Sequence, residues 1–253
     1  MSTLPLTTSI ATHTAEDVFV RGRSLCRELI GKLTFTEMTY LHVTGRVPTP
    51  AQTAMVDACL VTLMEHGLTP SALATRLVYS SAPESLQSAV AAGLLAVGSA
   101  FVGTVEGCAA LLERVLGAAD AATEARLVAE EHRATRRPVP GFGHPEHKPD
   151  DPRSVVLLEL AETHGVAGRH VTALRALAAA VDGVYRRHLT INATGAVAAV
   201  LADCGLPAEI LRGFAVLARC AGLVGHVHEE QHKPAMRAIW DASERAVPYD
   251  GER

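Results

Sequence analysis

The chain contains 253 residues, of which 48% are hydrophobic and only 4% are aromatic. A chain of this length and composition can bury a sizeable core in one or two domains. Its formal net charge is -4 and it has no long basic run, which argues against a nucleic-acid-binding surface that works by neutralising phosphates. The bulk properties therefore predict small molecules or other proteins as partners, and no nucleic acid.

Thiol usage and the N-terminal sequence indicate the cellular compartment. The five cysteines are scattered singly, without a CxxC pair, which is typical of reduced thiols and predicts neither a disulfide framework nor a zinc site. The first 19 residues contain no basic stretch followed by an apolar one, so no signal peptide is expected. Both features predict a cytoplasmic protein.

Residues 86–105 carry no charge and are numerous enough to span a membrane. The segment is rich in Ala, Gly, Ser and Val and lacks flanking Lys or Arg anchors, so we interpret it as a buried helix and expect no membrane contact. Ala89, Gly93 and Ala96 lie at about helical spacing and would let another helix approach closely. This predicts a central helix at a subunit interface.

Most of the chain repeats apolar residues at helical spacing, and runs of β-branched residues are short, so the sequence predicts an all-α fold. A well-defined helix start occurs at Thr49-Pro50-Ala51-Gln52, where Thr49 and Gln52 can exchange capping hydrogen bonds. This helix should end near Gly67, which suits a left-handed cap. His66 is therefore predicted at a helix end.

Further helices are predicted from about Ser154 to His164 and from about Pro207. Before the first of these, residues 136–152 contain five prolines and two glycines, which exclude a regular helix. Rigid loops that also hold titratable groups are good site candidates, and this loop contains His144 and His147. Taken alone, a solvated polar loop is an equally good interpretation.

The residues of this loop resemble a known signature. Pro140-Gly141-Phe142-Gly143-His144 followed by Asp151-Pro152-Arg153 is similar to PGYGHxxxRxxDPR of the citrate synthase superfamily, with the same nine-residue step from the catalytic His to the substrate-binding Arg. The likeness runs from about Gly31 to the C-terminus and is closest in pattern to the short citryl-CoA lyases and the lyase module of ATP-citrate lyase. Four further pieces occur in the order of that family: Glu65-His66-Gly67 with Arg76, Gly103 to Ala109, Ile191 to Gly195, and Leu217 to Arg219 before Lys233.

The resemblance implies an all-α fold with two domains and an active-site cleft between them. The large helical domain would comprise residues 1–107 and 213–253, and the small helical domain residues 108–212. The family binds an acyl-CoA and a keto acid and works as a homodimer or higher homo-oligomer. We therefore expect coenzyme A, as an acyl-CoA substrate, and no metal.

The resemblance also assigns roles to individual residues. His144 would handle the proton on the substrate's carbonyl or hydroxyl oxygen, and as a base it would start cleavage by removing the hydroxyl proton. His66 is expected to act beside it. The expected substrate ligands are Arg153, Arg219, Arg76 and Lys233, the last contributed by the second subunit. The expected CoA ligands are backbone groups of Val139, Pro140, Gly141, Phe142 and Gly143.

Two residues depart from the synthase pattern. Glu106 stands where synthases have His in GPLHGG, and Thr194 stands where they have the catalytic Asp. A threonine cannot act as a base near neutral pH, so condensation is disfavoured and cleavage is favoured. In cleavage, Glu106 or water would protonate the departing enolate. For Glu106 this requires apolar surroundings such as those that Val105 and Cys108 suggest. The alternative is that Glu106 pairs with an arginine as a structural ion.

Other hypotheses remain at this stage. A condensing enzyme could use Glu106 in place of the missing Asp, and a non-catalytic acyl-CoA-binding homologue could keep the fold without turnover. A second histidine group, His226, His228 and His232, includes a pair spaced four residues apart but no HExxH-like third ligand, so we do not interpret it as a metal site.

Overall fold

The computed structural model describes residues 6–100 and 102–251. Within these ranges most of the chain forms α-helices joined by turns, which confirms the all-α prediction. The helices are α1 (Phe35–Thr44), α2 (Pro50–Met64), α3 (Pro70–Ser81), α4 (Leu86–Leu95), α5 (Thr104–Gly117), α6 (Ala121–Ala134), α7 (Pro152–Thr163), α8 (Arg169–Tyr185), α9 (Ala193–Asp203), α10 (Leu211–His232) and α11 (Met236–Ala246).

A small antiparallel sheet precedes the helices. Its strands pair in chain order, with Thr12 opposite Phe19: β1 (Ala11–His13), β2 (Val18–Val20) and β3 (Arg23–Ser24). A π-helical turn follows at Leu25–Leu29. Val20 and Leu29 pack with Leu41 of α1 in a small apolar cluster, so α1 attaches this sheet to the helical body.

The predicted capping of α2 is confirmed. Thr49 Oγ1 accepts a hydrogen bond from the Gln52 N–H at 3.2 Å, and Gln52 Oε1 accepts one from the Thr49 N–H at 2.9 Å. The helix ends at Met64, and Gly67 adopts a φ of 70°. His66 therefore lies in the turn directly after the helix, as predicted.

The helix predicted from Ser154 begins at Pro152 instead. Asp151 caps it by accepting a hydrogen bond from the Arg153 N–H at 3.1 Å, and proline is favoured in the first helical turn. Residues 136–151 form turns and irregular backbone, as predicted. The helix predicted from about Pro207 starts with a 3₁₀ turn, Ala208–Ile210, and continues as α10.

The prediction of one helix over residues 86–105 is wrong. α4 ends at Leu95 and α5 begins at Thr104; Phe101 between them lies outside the described residues. A tight turn separates the helices, because the Gly103 N–H donates to the Gly98 oxygen at 3.0 Å and a Cβ on Gly103 would lie 2.7 Å from that oxygen. A role for this region in a subunit interface stays a prediction.

α10 joins the two larger apolar clusters. Its first half, with Leu211 and Phe214, belongs to the main core built from α2 and α5–α9. Its second half, with Leu223 and Val227, packs with α3 and α4 in a smaller core. The proposed boundary between domains at residues 107 and 212 remains a prediction.

One helical stretch, Ala208–His232, is long and apolar enough to cross a membrane by length and composition. In the folded chain, 39% of its apolar window is buried, and it contacts α2, α3 and α4. Its apolar character is accounted for by its packing in both cores.

Candidate active site

Three histidines from two separate segments meet at one place. His66 follows α2, whereas His144 and His147 lie in the proline-rich loop before α7, and all three are half-buried. The ring centroids of His66 and His144 are 5.6 Å apart, and the rings of His144 and His147 stack at 4.4 Å with an interplanar angle of 28°. One ring nitrogen of each lies within 4.8 Å of one from each of the others. We term these residues the histidine cluster.

Backbone hydrogen bonds orient the His144 ring. Its Nδ1 accepts from the N–H groups of Glu146 at 3.2 Å and His147 at 3.1 Å. A ring nitrogen that accepts carries no proton, so neutral His144 holds its proton on Nε2. Burial lowers the pKa of His144, and the charges of His147 and Arg153 lower it further. The neutral ring with a donating Nε2 is therefore the favoured form.

Arg153 lies beside this ring in the first turn of α7. Its Nη2 is 3.4 Å from His144 Nε2, and its Nε and Nη2 donate to the two oxygens of Asp151 at 2.9 and 2.7 Å. Asp151 is fully buried and also accepts from the Ala193 N–H at 3.0 Å. This anchored carboxylate holds the guanidinium against the histidine cluster.

Arg219, on α10, is a buried cation with unused donors. It is 4% exposed, and its Nε and Nη1 have no hydrogen-bond partner among the residues that the structure describes. Burial lowers its pKa, the charge of Glu65 opposes this effect, and the charge of Arg153 adds to it. A buried cation with unpaired donors is unfavourable unless an anion binds it, and a carboxylate matches guanidinium geometry well.

The loop Val139–Gly143, termed the CoA loop after the prediction made for it from the sequence, packs tightly against the starts of α5 and α9. Gly141 has a φ of 88°, and a Cβ on it would lie 2.6 Å from Cys108 Sγ, so a side chain is excluded there. A Cβ on Gly195 would lie 2.5 Å from the Gly141 oxygen. Asn192 closes the contact, because its N–H donates to that oxygen at 3.0 Å.

Comparisons with known proteins agree with this geometry. The family profile described as citrate synthase, C-terminal domain, matches residues 8–240. The chain belongs to the citrate synthase family. Among solved structures, the citryl-CoA lyase of Hydrogenobacter thermophilus is 32% identical, superposes with a TM-score of 0.87, and is matched over 98% of this chain and 95% of that one.

More distant relatives are larger proteins. The ATP citrate lyase of Methanosaeta concilii, solved in complex with (3S)-citryl-CoA, has the same fold with a TM-score of 0.79 at 18% identity, over all of this chain and 43% of that one. A probable ATP-citrate synthase subunit 1 of Schizosaccharomyces pombe is 28% identical over 224 residues, which are 81% of this chain. The chain spans 35% of the length of that curated relative.

Glu106 has a charged neighbour instead of the apolar surroundings predicted for it. Its Oε2 lies 2.7 Å from Nη2 of Arg212 on α10, and its side chain is 40% exposed. The predicted alternative, a structural ion pair with an arginine, describes this arrangement. A role for Glu106 in protonating the enolate stays a prediction.

Thr194 lies in the first turn of α9, where synthases of the family carry their catalytic Asp. Its Oγ1 donates to Asn192 Oδ1 at 2.7 Å and lies 2.8 Å from Thr104 Oγ1. The hydroxyl is thus part of a hydrogen-bonded chain of polar groups. It can donate or accept a hydrogen bond, but it cannot serve as a base near neutral pH.

Arg76 forms buried ion pairs within the chain, whereas the sequence predicted it as a substrate ligand. It is 3% exposed, and it donates to Glu230 at 2.9 Å, to Glu229, and through Nε to His226 Nδ1 at 3.0 Å. Burial lowers the pKa of Arg76, but the two carboxylates more than offset this and raise it. Arg76 therefore ties α3 to the end of α10.

This ion-pair network continues to the histidine cluster. His226 accepts on Nδ1, so its proton is on Nε2; this nitrogen lies 3.0 Å from Glu65 Oε2 without hydrogen-bond geometry. Glu65 Oε1 accepts from the backbone N–H groups of His66 at 2.8 Å and Gly67 at 2.6 Å. The turn that carries His66 is therefore held by Glu65, and His226 lies between Glu65 and Arg76.

Lys233 is exposed at the residue after α10. Its charge helps to lower the pKa of Glu229 in the same chain, although Arg76 is the main cause. Its contribution to the active site of a second subunit stays a prediction.

The spacing of the histidine cluster would suit a transition metal. However, Arg153 touches the cluster and Arg219 lies within electrostatic range of Arg153. Two fixed positive charges favour an anion over a cation at this place. The electrostatics of the site therefore support the prediction of an organic anion as its ligand.

Sequence reasoning left several site residues without a role. His147 was noted in the loop, but its contact with His66 depends on tertiary structure. Asp151 precedes the helix that carries Arg153, and a capping residue at that position was a readable signal. Glu65 and His226 lie close together although they are 161 residues apart in the sequence, so no local sequence pattern could predict this pair.

Proposed function

We propose that this chain cleaves the carbon-carbon bond of citryl-CoA, or of a related 3-hydroxy-3-carboxyacyl-CoA, to give an acyl-CoA and a keto acid. One observation carries the proposal: the histidine cluster contacts Arg153, and within electrostatic range of Arg153 lies Arg219, which is buried with donors that have no partner among the described residues. The 32% identity to a citryl-CoA lyase over nearly the whole of both chains supports it.

The keto-acid part of the substrate suits the guanidinium groups. Arg153 and Arg219 would each bind a carboxylate, and two such contacts fix the orientation of a dicarboxylate. His66 would bind the same part of the substrate from the opposite segment. Binding of an anion also relieves the unpaired buried charge of Arg219, so binding energy and orientation arise from the same contact.

The CoA part of the substrate suits the CoA loop. Its backbone is held rigidly by α5 and α9 and directly precedes His144, so bound adenine and the reacting carbon would lie on either side of one short segment. A second subunit would supply Lys233 to close the site. The cleft would then lie between residues 1–107 with 213–253 and residues 108–212.

His144 would stabilise the oxygen at the reacting carbon. Its Nε2 carries the proton in the neutral ring, so it can donate a hydrogen bond to the oxygen that becomes the keto group. A donor that is already oriented by the protein stabilises charge on this oxygen without reorganisation. The His144 hydrogen bonds therefore favour the role of donor over the predicted role of base.

Thr194 favours the direction of cleavage. Condensation needs a base to take a proton from the methyl group of acetyl-CoA, and the hydroxyl of Thr194 cannot do this. Cleavage needs no base at the position of Thr194, because the bond to the α-carbon breaks without removal of a proton from that carbon.

The proposal is tested by incubating the purified chain with (3S)-citryl-CoA and measuring oxaloacetate release with malate dehydrogenase. We expect turnover by the wild type and a loss of at least about 100-fold in His144→Ala, the scale of one lost preorganised donor. His164→Asn, an exposed histidine at the end of α7, serves as the matched control. No oxaloacetate release by the wild type would refute the proposal.

The same preparations separate the two alternatives. Thiol release that requires both acetyl-CoA and oxaloacetate would assign a condensing enzyme. Calorimetric binding of CoA without turnover of either substrate would assign a non-catalytic acyl-CoA-binding homologue.

A further inference from the structure

His147 is the member of the histidine cluster to which the family resemblance gives no role. Its backbone N–H donates to His144 Nδ1 at 3.1 Å. Its ring stacks on His144 and meets the His66 ring edge-on, with centroids 5.9 Å apart. No hydrogen bond to this ring occurs within residues 6–100 and 102–251, so its nitrogens are available to a ligand.

Cleavage requires a base that His144 cannot provide in its observed orientation. The two backbone donors occupy His144 Nδ1, and Nε2 then carries the proton. To accept a further proton, the ring would have to give up these hydrogen bonds and become a cation beside Arg153. The hydroxyl proton of the substrate therefore needs another acceptor within reach of the same oxygen.

We propose that His147 is this proton acceptor, so that His144 and His147 act on one substrate oxygen as donor and acceptor. The inference rests on the proposed function. A hydroxyl with two hydrogen-bond partners at about 2.8 Å and a roughly tetrahedral angle separates them by ~4.6 Å. One ring nitrogen of each histidine in the cluster lies within 4.8 Å of one from each of the others, so the rings are close enough for two of them to reach one oxygen.

Charged and titratable groups from several elements lie near the two stacked rings. The groups nearest His147 are His66 from the turn after α2 and His144 from its own loop, with Arg153 and its partner Asp151 from the start of α7 against His144. Arg219 from α10 acts on the charge of Arg153. The carboxylates of the bound substrate offset the two guanidinium charges. His144 faces His147 with its π surface, and a cation over an aromatic face is stabilised.

The step is balanced in atoms and electrons. The hydroxyl proton passes to a ring nitrogen of His147, and the O–H electron pair forms the carbonyl of the keto acid. The carbon-carbon bond breaks, and its electron pair becomes the enolate of the thioester. Water then protonates the α-carbon, His147 releases its proton to the resulting hydroxide, and no net proton is consumed.

The test compares His147→Asn and His147→Gln with wild type and with the control His164→Asn, in citryl-CoA cleavage from pH 5 to 9. General acid-base catalysis contributes typically 10²–10⁴-fold, so we expect kcat to fall by at least about 100-fold while KM changes by less than about threefold. The ionisation that limits kcat on the acidic side should disappear, and free imidazole should restore activity to His147→Gly.

The possible outcomes are distinct. Unchanged kcat and an unchanged pH profile in both variants would overturn the role of His147 and leave the proposed function standing. A fall in kcat without rescue by imidazole, accompanied by an equal rise in KM or lost helicity in circular dichroism, would also overturn it in favour of a structural role. A wild-type chain without cleavage activity overturns both.

Discussion

Replacement of Arg76 by methionine distinguishes an internal ion pair from a substrate ligand. The Arg76 side chain is 4% exposed and its partner Glu230 is 1% exposed, so the substitution leaves a buried carboxylate without its cation. Breaking a buried pair on one side typically costs ~3–5 kcal/mol. We expect the lower end, about 3 kcal/mol, because Glu230 keeps hydrogen bonds from Ser80 and from two backbone N–H groups at the start of α11.

The expected effect is large enough for thermal unfolding. For a chain of this length a loss of 1 kcal/mol lowers Tm by about 2–4 °C, so Arg76→Met should unfold roughly 6–12 °C below wild type at equal protein concentration. Arg126→Met is the matched control, since Arg126 is 72% exposed and pairs with the half-exposed Glu130. An exposed pair of this kind contributes about 0–1 kcal/mol.

A second substitution identifies the physical cause. Adding Glu230→Gln to Arg76→Met removes the uncompensated charge, so the double variant should be more stable than Arg76→Met alone, with a coupling energy of about 1–3 kcal/mol. The reasoning is refuted if Arg76→Met keeps the wild-type Tm while KM for citryl-CoA rises tenfold or more. That result would show that Arg76 binds the substrate and does not stabilise the fold.

Three further predictions follow from buried groups. Arg219→Met should raise Tm, because it removes a buried cation with unpaired donors, and should lower kcat/KM at least about 100-fold by loss of a carboxylate ligand; a lower Tm would contradict this. Gly195→Ala should lower the free energy of unfolding in chemical denaturation by about 1–3 kcal/mol, because its Cβ would lie 2.5 Å from a backbone oxygen of the CoA loop. The control Gly183→Ala in α8, which has open space at its Cβ, should raise the free energy of unfolding by up to about 1 kcal/mol. The hydrogen bond from His170 to Asp203, with a second to Glu113, raises the pKa of His170 in the folded chain. The stabilisation by these bonds is therefore present below the unfolded pKa of about 6.5 and is lost as pH rises through the folded value. His170→Gln should lower Tm more at pH 5.5 than at pH 8.5, and equal losses at the two pH values would count against this prediction.

The structure explains why parts of the site were predictable and others were not. The start of α2, the end of the turn at Gly67 and the irregular proline-rich loop depend on neighbours within a few residues, so the sequence predicted them correctly. The surroundings of Glu106 depend on Arg212, more than 100 residues away in sequence. Neither its partner nor its exposure could be predicted from its apolar sequence neighbours.

What the sequence determined by itself is the fold class and the family. Helical periodicity, capping residues and the His144 to Arg153 spacing are local properties, and they were sufficient for the all-α fold and for the resemblance to the citrate synthase family. Tertiary structure alone decided which polar groups pair with each other. The partner of a buried charge comes from another segment of the chain, so only the fold could place Arg76 in an internal network and leave Arg219 with unused donors within electrostatic range of Arg153.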